Sequence, residues 1–137
     1  MRILVVVPAG HDGSLLAGPA AQLARESGGT VMVLGVDDVE SQRFEPIPRS
    51  ELAELAEHSA HATAERLRAE GVTTEVTIRS GPAQKVAMDV AEELDTDLIV
   101  VGAGSRGPMM GRLLGSLPMD LVRRSGRQVL VVADPPA

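Results

Sequence analysis

The chain has 137 residues, of which 44% are hydrophobic, so it can bury the core of one domain. A formal net charge of -6, a single lysine and a single aromatic residue argue against a nucleic-acid surface, which needs clustered cations and stacking rings. The absence of cysteine excludes disulfides, thiolate metal sites and cysteine nucleophiles. No apolar run reaches the ~20 residues of a membrane span, and we expect a cytoplasmic protein that does not insert into membranes.

Apolar strands and a helix alternate from the first residues onward. Arg2–Val7 and Thr30–Val36 are continuous β-branched and leucine-rich runs, which predicts strands that are covered on both faces. Ser14–Ser27, between them, is predicted to be helical. Asp37–Pro48 is polar and predicts a loop. Arg49–Glu70 then has apolar residues at spacings of three and four, which indicates a long amphipathic helix.

The same alternation continues to the end of the chain. Thr73–Arg79 alternates polar and apolar residues and predicts a half-exposed strand. Ala83–Leu94 is a predicted helix, and Asp97–Val101 a predicted buried strand. Ser116–Ser125 is a predicted fourth helix, and Gln128–Val132 a predicted fifth strand. Strands that alternate with helices predict an α/β fold, in which a doubly wound parallel sheet carries helices on both faces.

We find no repeat or linker, and we expect residues 1–137 to form one domain. In doubly wound sheets, ligands bind beyond the carboxyl ends of the strands, where the strand order reverses. The candidate site is therefore at the end of a central strand, next to a loop that approaches a ligand closely.

A glycine-rich segment follows the fourth predicted strand directly. The sequence LIVVGAGSRGPMMGRLLGSL runs from Leu98 to Leu117 and closes on Gly115-Ser116. Glycines let backbone N–H groups approach a ligand, and a helix that begins at Ser116 adds unpaired N–H donors and a partial positive charge. Together these features suit a phosphate. A plain strand-to-helix turn explains the same glycines, and Ser116 serves equally as a helix N-cap.

The element order and the segment from Gly102 to Leu117 resemble the universal stress protein family. Nucleotide-binding members carry Gly, two residues, Gly, nine residues and then Gly-Ser or Gly-Thr after the fourth strand. Gly102 and Gly115-Ser116 match this spacing, whereas Ser105 stands at the second glycine. The resemblance implies a five-stranded sheet of order 3-2-1-4-5 and binding of ATP or another adenine nucleotide, with or without Mg²⁺.

The resemblance also implies which residues contact the nucleotide. In the first loop, Gly10 stands where many members have an Asp that contacts the adenosine, and only the nearby Asp12 offers a carboxylate. Val36 matches an apolar contact to adenine, and Arg106 is either a phosphate partner or a solvated loop residue. The implied contacts are Pro8, Ala9, Gly10, Val36, Val101, Gly102, Gly104, Ser105, Arg106, Gly115, Ser116 and Leu117.

Two other groups of residues contain side chains that can bind metal ions. Asp37, Asp38 and Glu40 can hold Mg²⁺ through water, but a solvated acidic loop explains them better. His58 and His61 are three residues apart on the long predicted helix, and without a third ligand they favour an exposed helix face. We expect no resident metal.

No catalytic set and no Walker-type lysine is present in the sequence, so we expect a bound nucleotide to be held rather than turned over. The favoured hypothesis is a stress or signalling module that binds ATP or a cyclic nucleotide. The alternatives are a nucleotide-free interaction module, the cytoplasmic domain of a transporter or kinase, and, least favoured, a slow ATPase. Family members commonly pair through the fifth strand, so we expect a homodimer through Gln128–Val132.

Overall fold

The computed structural model describes residues 1–11, 13–38, 48–103 and 116–133, with Arg49 and Ser116 described by their backbone alone. Within these residues, the strands are β1 (Arg2–Pro8), β2 (Thr30–Asp37), β3 (Thr74–Ser80), β4 (Leu98–Gly102) and β5 (Gln128–Val132). The helices are α1 (Ser14–Ser27), α2 (Arg49–Ala69), α3 (Ala83–Glu93) and α4 (Ser116–Arg124). Every predicted element is present, and no bound differs from the prediction by more than one residue.

The five strands form one parallel sheet in the order β3-β2-β1-β4-β5, which confirms the predicted fold class and strand order. β1 lies at the centre, with β2 along one side and β4 along the other. Its residues from Leu4 to Val7 are completely buried. A continuous apolar strand suits this position because both of its faces meet helices.

The helices cover the two faces of the sheet in pairs. Residues of α1 and α2 form one apolar cluster with Ile3, Val5 and Val7 of β1. Residues of α3 and α4 form a second cluster with Leu4 and Val6 on the opposite face. The chain therefore leaves β1 for a helix on one face, and the helix that follows β4 lies on the other.

The outer strand β3 is only partly covered, as its alternating sequence predicts. Arg79 on β3 pairs with Glu93 at the end of α3, at 2.8 Å between Nη2 and Oε2. This hydrogen bond and the positive charge of Arg79 lower the pKa of the Glu93 carboxyl. The pair attaches the last turn of α3 to the edge of the sheet.

The sequence around the start of α1 predicts Asp12 or Ser14 as the N-cap, and the structure corrects this prediction for Ser14. The residue before the helix is Gly13, and no side chain caps the first turn. Ser14 is instead the first helical residue, and Asp12 lies outside the described residues. A Cβ at position 13 would collide with Thr63 Oγ1 on α2 and lie 3.0 Å from Val7 Cγ1. Close packing of α1 on α2 thus requires glycine where capping preferences favour Asp or Ser.

Gly35 on β2 lies directly beneath α2. A Cβ built on it would lie 2.7 Å from Ile78 Cδ1, 2.8 Å from the Ala56 carbonyl oxygen and 3.0 Å from Ala60 Cβ. We predict that Gly35→Ala lowers the free energy of unfolding by about 1–3 kcal/mol, because α2 must move outward. Urea denaturation measures this change.

Gly18→Ala is the matched control, since Gly18 lies on α1 with nothing within 4 Å of its built Cβ. The same methyl group there stabilises the helix by about 0.5–1 kcal/mol. A Gly35→Ala protein as stable as the wild type would contradict the close packing of α2 on β2.

Candidate functional site

The carboxyl ends of β1 and β4 lie side by side at the centre of one edge of the sheet. Val6 pairs with Val101 in the ladder, so the segments that begin at Ala9 and Ala103 leave the sheet next to each other. The helices that follow, α1 and α4, pack on opposite faces. Such a divergence opens a crevice at the switch point of a parallel sheet.

The first loop forms one wall of this crevice. The Ala9 N–H donates to the Val36 carbonyl at 2.8 Å, and the side chain of Ala9 packs against Leu52 and Ala56 of α2. Gly10 is exposed, with φ at +78°, which is the left-handed region that favours glycine. The turn geometry therefore favours glycine at this position.

Gly102 ends β4 at the opposite wall. Among the described residues, the nearest atom to a Cβ built on Gly102 is Leu16 Cδ2 at 3.7 Å, an ordinary van der Waals distance. The packing of the described residues thus leaves room for a side chain at this position. The packing of the described residues therefore does not explain why this residue is glycine. Close approach of a ligand to the backbone of Gly102 does explain it.

Four of the residues expected to contact a nucleotide, Ala9 among them, have buried side chains. Val36, Val101 and Leu117 all belong to the core cluster under α3 and α4. Their backbone groups at the strand ends and in the first turn of α4 are what they can offer a ligand.

Most of the other residues that the resemblance implies as nucleotide contacts lie outside the described residues. Gly104, Ser105, Arg106 and Gly115 lie outside the described residues, as does the side chain of Ser116. The backbone of Ser116 begins α4, as the sequence predicts. The positive end of this helix therefore lies at the carboxyl edge, where an anion is favoured.

α4 is fastened to α3 through one side chain. When the Gln84 amide is oriented so that both its ends find partners, it donates to Asp120 Oδ2 at 3.1 Å and accepts from Arg124 Nη1 at 3.0 Å. Leu117 and Leu121 of α4 are buried on the same side. A nine-residue helix is marginal by itself, so these contacts determine where its N-terminus lies.

Asp37 and Asp38 do not form a solvated loop. Asp37 is the last residue of β2 and is only 2% exposed. Its Oδ2 accepts from Ser80 Oγ at 3.0 Å, and its carbonyl accepts from the Gly81 N–H at 3.0 Å. Asp38 Oδ2 accepts from the Ala83 N–H at 2.8 Å, at the start of α3. The two aspartates therefore fasten the turn between β3 and α3 to the end of β2, a role that the sequence analysis missed.

The candidate metal sites receive no support from the geometry. Across the part of the chain that the structure describes, no three His, Asp or Glu side chains are arranged to hold a metal ion. His58 and His61 are exposed on α2, and Glu40 lies outside the described residues. None of the described helices is long and apolar enough to cross a bilayer.

Comparison with known proteins identifies the fold and the family. The model of the universal stress protein family matches residues 1–133. A universal stress protein crystallised with cAMP is 27% identical, with 97% of this chain and 96% of that chain covered at a TM-score of 0.67. One from Archaeoglobus fulgidus is 24% identical, covering 96% and 98% at a TM-score of 0.75. Another structure from that organism, in complex with dAMP, is 23% identical, covering 96% and 97% at a TM-score of 0.72.

No protein with a curated description matches the sequence. The family model covers nearly the whole chain, and the three structures just named are matched over nearly their full length. The chain therefore belongs to the universal stress protein family.

Asp38 caps the first turn of α3, and mutation of Asp38 tests this role. We predict that Asp38→Ala lowers the free energy of unfolding by about 1 kcal/mol, because the Ala83 N–H loses its acceptor. Hydrogen exchange at the first amides of α3 should accelerate at the same time. Asp38→Asn keeps an acceptor oxygen and should recover most of the loss. Unchanged exchange at Ala83 in Asp38→Ala would contradict this role.

Proposed function

We propose that residues 1–137 form one domain that binds ATP or another adenine nucleotide in the crevice between β1 and β4. The phosphates lie on the backbone of residues 102–106 and 115–117, and the adenosine lies toward the ends of β1 and β2. A bound nucleotide changes a surface that faces a partner, as expected of a stress or signalling module.

The observation that carries this proposal is the carboxyl end of β4. At this point the chain has a glycine, Gly102, although the described residues around it leave room for a Cβ. The N-terminus of α4 follows further along the chain. A bare backbone and a helix N-terminus at a switch point favour a phosphate. Relatives of the same fold crystallised with cAMP and dAMP support the choice of an adenine nucleotide.

The proposal assigns no catalysis to this chain. Asp37 and Asp38 accept hydrogen bonds from Ser80 and from the start of α3, which accounts for their placement without a magnesium ion. Any Mg²⁺ would arrive bound to the phosphates, and no step depends on it. The cytoplasmic location stays a prediction.

A thermal-shift series with ATP, AMP and cyclic AMP tests binding directly. A ligand that binds only the folded state stabilises it by about 2.7 kcal/mol at a hundredfold excess over its Kd. We expect the melting temperature to rise by several degrees and to keep rising with ligand concentration. No shift with any of the three nucleotides at millimolar concentration would refute nucleotide binding.

Gly102→Ala tests where the nucleotide binds. The added methyl group fits beside Leu16, so the fold should be retained. We predict that nucleotide affinity falls at least about tenfold, because the methyl group keeps phosphate oxygens from the backbone. Isothermal titration calorimetry measures the change. Gly18→Ala, on the exposed side of α1, should bind like the wild type. Equal affinity in Gly102→Ala and Gly18→Ala would place the nucleotide elsewhere.

A second candidate function is a nucleotide-free interaction module. The observation that favours it is Gly10, which offers no carboxylate to an adenosine and has the left-handed conformation of a glycine turn. The thermal-shift series separates the two functions, because this module shows no shift with any nucleotide.

We also propose a homodimer through β5. This strand forms an edge of the described sheet, and an apolar strip lies beside it, formed by Met119 and Val122 of α4 and Val131 of β5. These three side chains are 49%, 50% and 42% exposed. An open ladder with adjacent apolar side chains suits pairing with a second copy of the chain.

We predict that Val131→Glu converts the dimer to a monomer, because two carboxylates would meet near the symmetry axis of the paired edges. Multi-angle light scattering at micromolar concentration measures the mass. Leu55→Glu is the matched control, since Leu55 is 37% exposed on α2, which covers the other half of the sheet. A monomeric wild-type protein, or a dimeric Val131→Glu protein, would contradict this interface.

A further inference from the structure

A cavity of about 390 Å³ lies at the amino edge of the sheet, opposite the crevice between β1 and β4. Its walls come from the first residues of β1 and β2, from the start of β3 and from the end of α3. Sites for small molecules have volumes of about 300–1,000 Å³, so this cavity is large enough for a ligand. The described residues that line it include none of those expected to contact a nucleotide.

Two side chains of opposite charge line this cavity without an ion pair. The Glu75 carboxylate on β3 has neither a hydrogen bond nor an ion pair to any described residue. Arg2 on β1 donates from Nη1 to the Leu94 carbonyl at 3.0 Å, which fixes its guanidinium beside the cavity. Its other guanidinium N–H groups have no partner within the described part of the chain. Both residues are exposed, so a ligand can reach them.

The register of the sheet puts these two charges on the same face. Glu75 pairs with Met32, whose side chain packs on the cluster under α3 and α4. Arg2 is two residues before Leu4, which belongs to that cluster, so its side chain lies on this face too. β2 lies between the two strands, and the backbones of β1 and β3 are therefore about 10 Å apart. The charged side chains enter this gap from opposite sides.

Three threonine hydroxyls add neutral hydrogen-bonding groups to the walls. Thr30 and Thr73 are exposed, whereas Thr96 is only 5% exposed. All three residues line the cavity, and no hydroxyl among them has a hydrogen-bond partner in the ranges that the structure describes. A hydroxyl can both donate and accept, so these groups suit a ligand that has an amide or another mixed polar group.

Met32 and Leu94 give the cavity an apolar surface, and both are half-buried. Glu93 also lines the cavity, but Arg79 donates to both of its carboxylate oxygens, at 3.2 and 2.8 Å. The charge of Glu93 is thus already compensated. Among the described residues of the wall, this leaves one carboxylate, that of Glu75, to attract a cation.

We propose that this cavity is a second ligand site, which binds a small zwitterion of dipeptide size. The ammonium group of the ligand lies against Glu75, its carboxylate accepts from Arg2, and an apolar side chain packs on Met32 and Leu94. The fork of a guanidinium matches a carboxylate in bidentate geometry. A ligand with a single charge would leave Glu75 or Arg2 without a partner.

The dimensions of the site also favour a dipeptide. Two fully extended residues span about 7 Å, which suits a gap between side chains on strands that are about 10 Å apart. The peptide group of such a ligand offers one donor and one acceptor to the threonine hydroxyls.

Three ligands test the two charges on the unaltered protein. Glycyl-L-leucine carries both charges, N-acetylglycyl-L-leucine lacks the ammonium group, and glycyl-L-leucinamide lacks the carboxylate. Titration of the ¹⁵N-labelled full chain, followed by amide chemical shifts, gives the dissociation constants. We expect glycyl-L-leucine to shift Thr30, Thr73 and Thr96. It should bind at least about tenfold more tightly than either analogue, because each analogue loses a hydrogen bond to a charged group.

Two variants connect each charge of the ligand to one side chain. Glu75→Gln should weaken glycyl-L-leucine about tenfold and leave N-acetylglycyl-L-leucine unchanged. Arg2→Gln should weaken glycyl-L-leucine in the same way and leave glycyl-L-leucinamide unchanged. Glu57→Gln is the matched control, because Glu57 is exposed on α2, which covers the other face of the sheet. The comparison of ligands needs no variant, so it tests the site even if Arg2→Gln does not fold.

Two groups of results would overturn this inference. If glycyl-L-leucine at millimolar concentration shifts no amide, or shifts mainly Gly10 and Gly102, the cavity is not its site. Equal affinity for the three ligands would overturn the pairing of charges, as would equal binding of glycyl-L-leucine by Glu75→Gln and Glu57→Gln. The inference does not depend on nucleotide binding, because ATP should leave Thr30, Thr73 and Thr96 unshifted.

Discussion

Burial of β1 on both faces is the constraint on which the rest of this structure depends. Each residue from Leu4 to Val7 is enclosed by helices above and below and by β2 and β4 at its sides. Such a strand cannot bind a ligand along its length, and ligands of doubly wound sheets bind beyond the carboxyl ends of the strands. Because α1 and α4 pack on opposite faces, the segments that follow β1 and β4 diverge there. The position of the site is thus a consequence of how the core is covered.

The architecture was predictable because it is encoded locally. Continuous apolar runs such as Arg2–Val7 predict buried strands, and three-and-four spacing within Arg49–Glu70 predicts a helix that covers them. The spacing from Gly102 to Gly115 then connects the end of β4 to one family. Periodicity and short motifs can be read from a single sequence. The observed bounds of the helices and strands lie within one residue of the predicted bounds, so these local signals determine the fold closely.

The details of the site that were missed depend on contacts between distant residues. Asp37 looks like part of a polar loop until β2 is paired with β3, which brings Ser80 to it from 43 positions away. Gly13 replaces a capping side chain because α2 passes beside it, and nothing in the local sequence indicates that crossing. The resemblance predicts that Val101 and Leu117 contact the nucleotide, and the packing of their side chains in the core leaves only their backbone for that contact.

The central claim is that a nucleotide binds at the carboxyl edge of the sheet, where β2 ends in a carboxylate and the N-terminus of α4 follows β4. Titration of ¹⁵N-labelled protein with ATP, followed by amide chemical shifts, tests this most directly. The account predicts the largest shifts at Ala9, Gly10, Gly102 and Leu117. Shifts concentrated at Thr30, Thr73 and Thr96, on the opposite edge, would contradict it, as would a spectrum that ATP leaves unchanged.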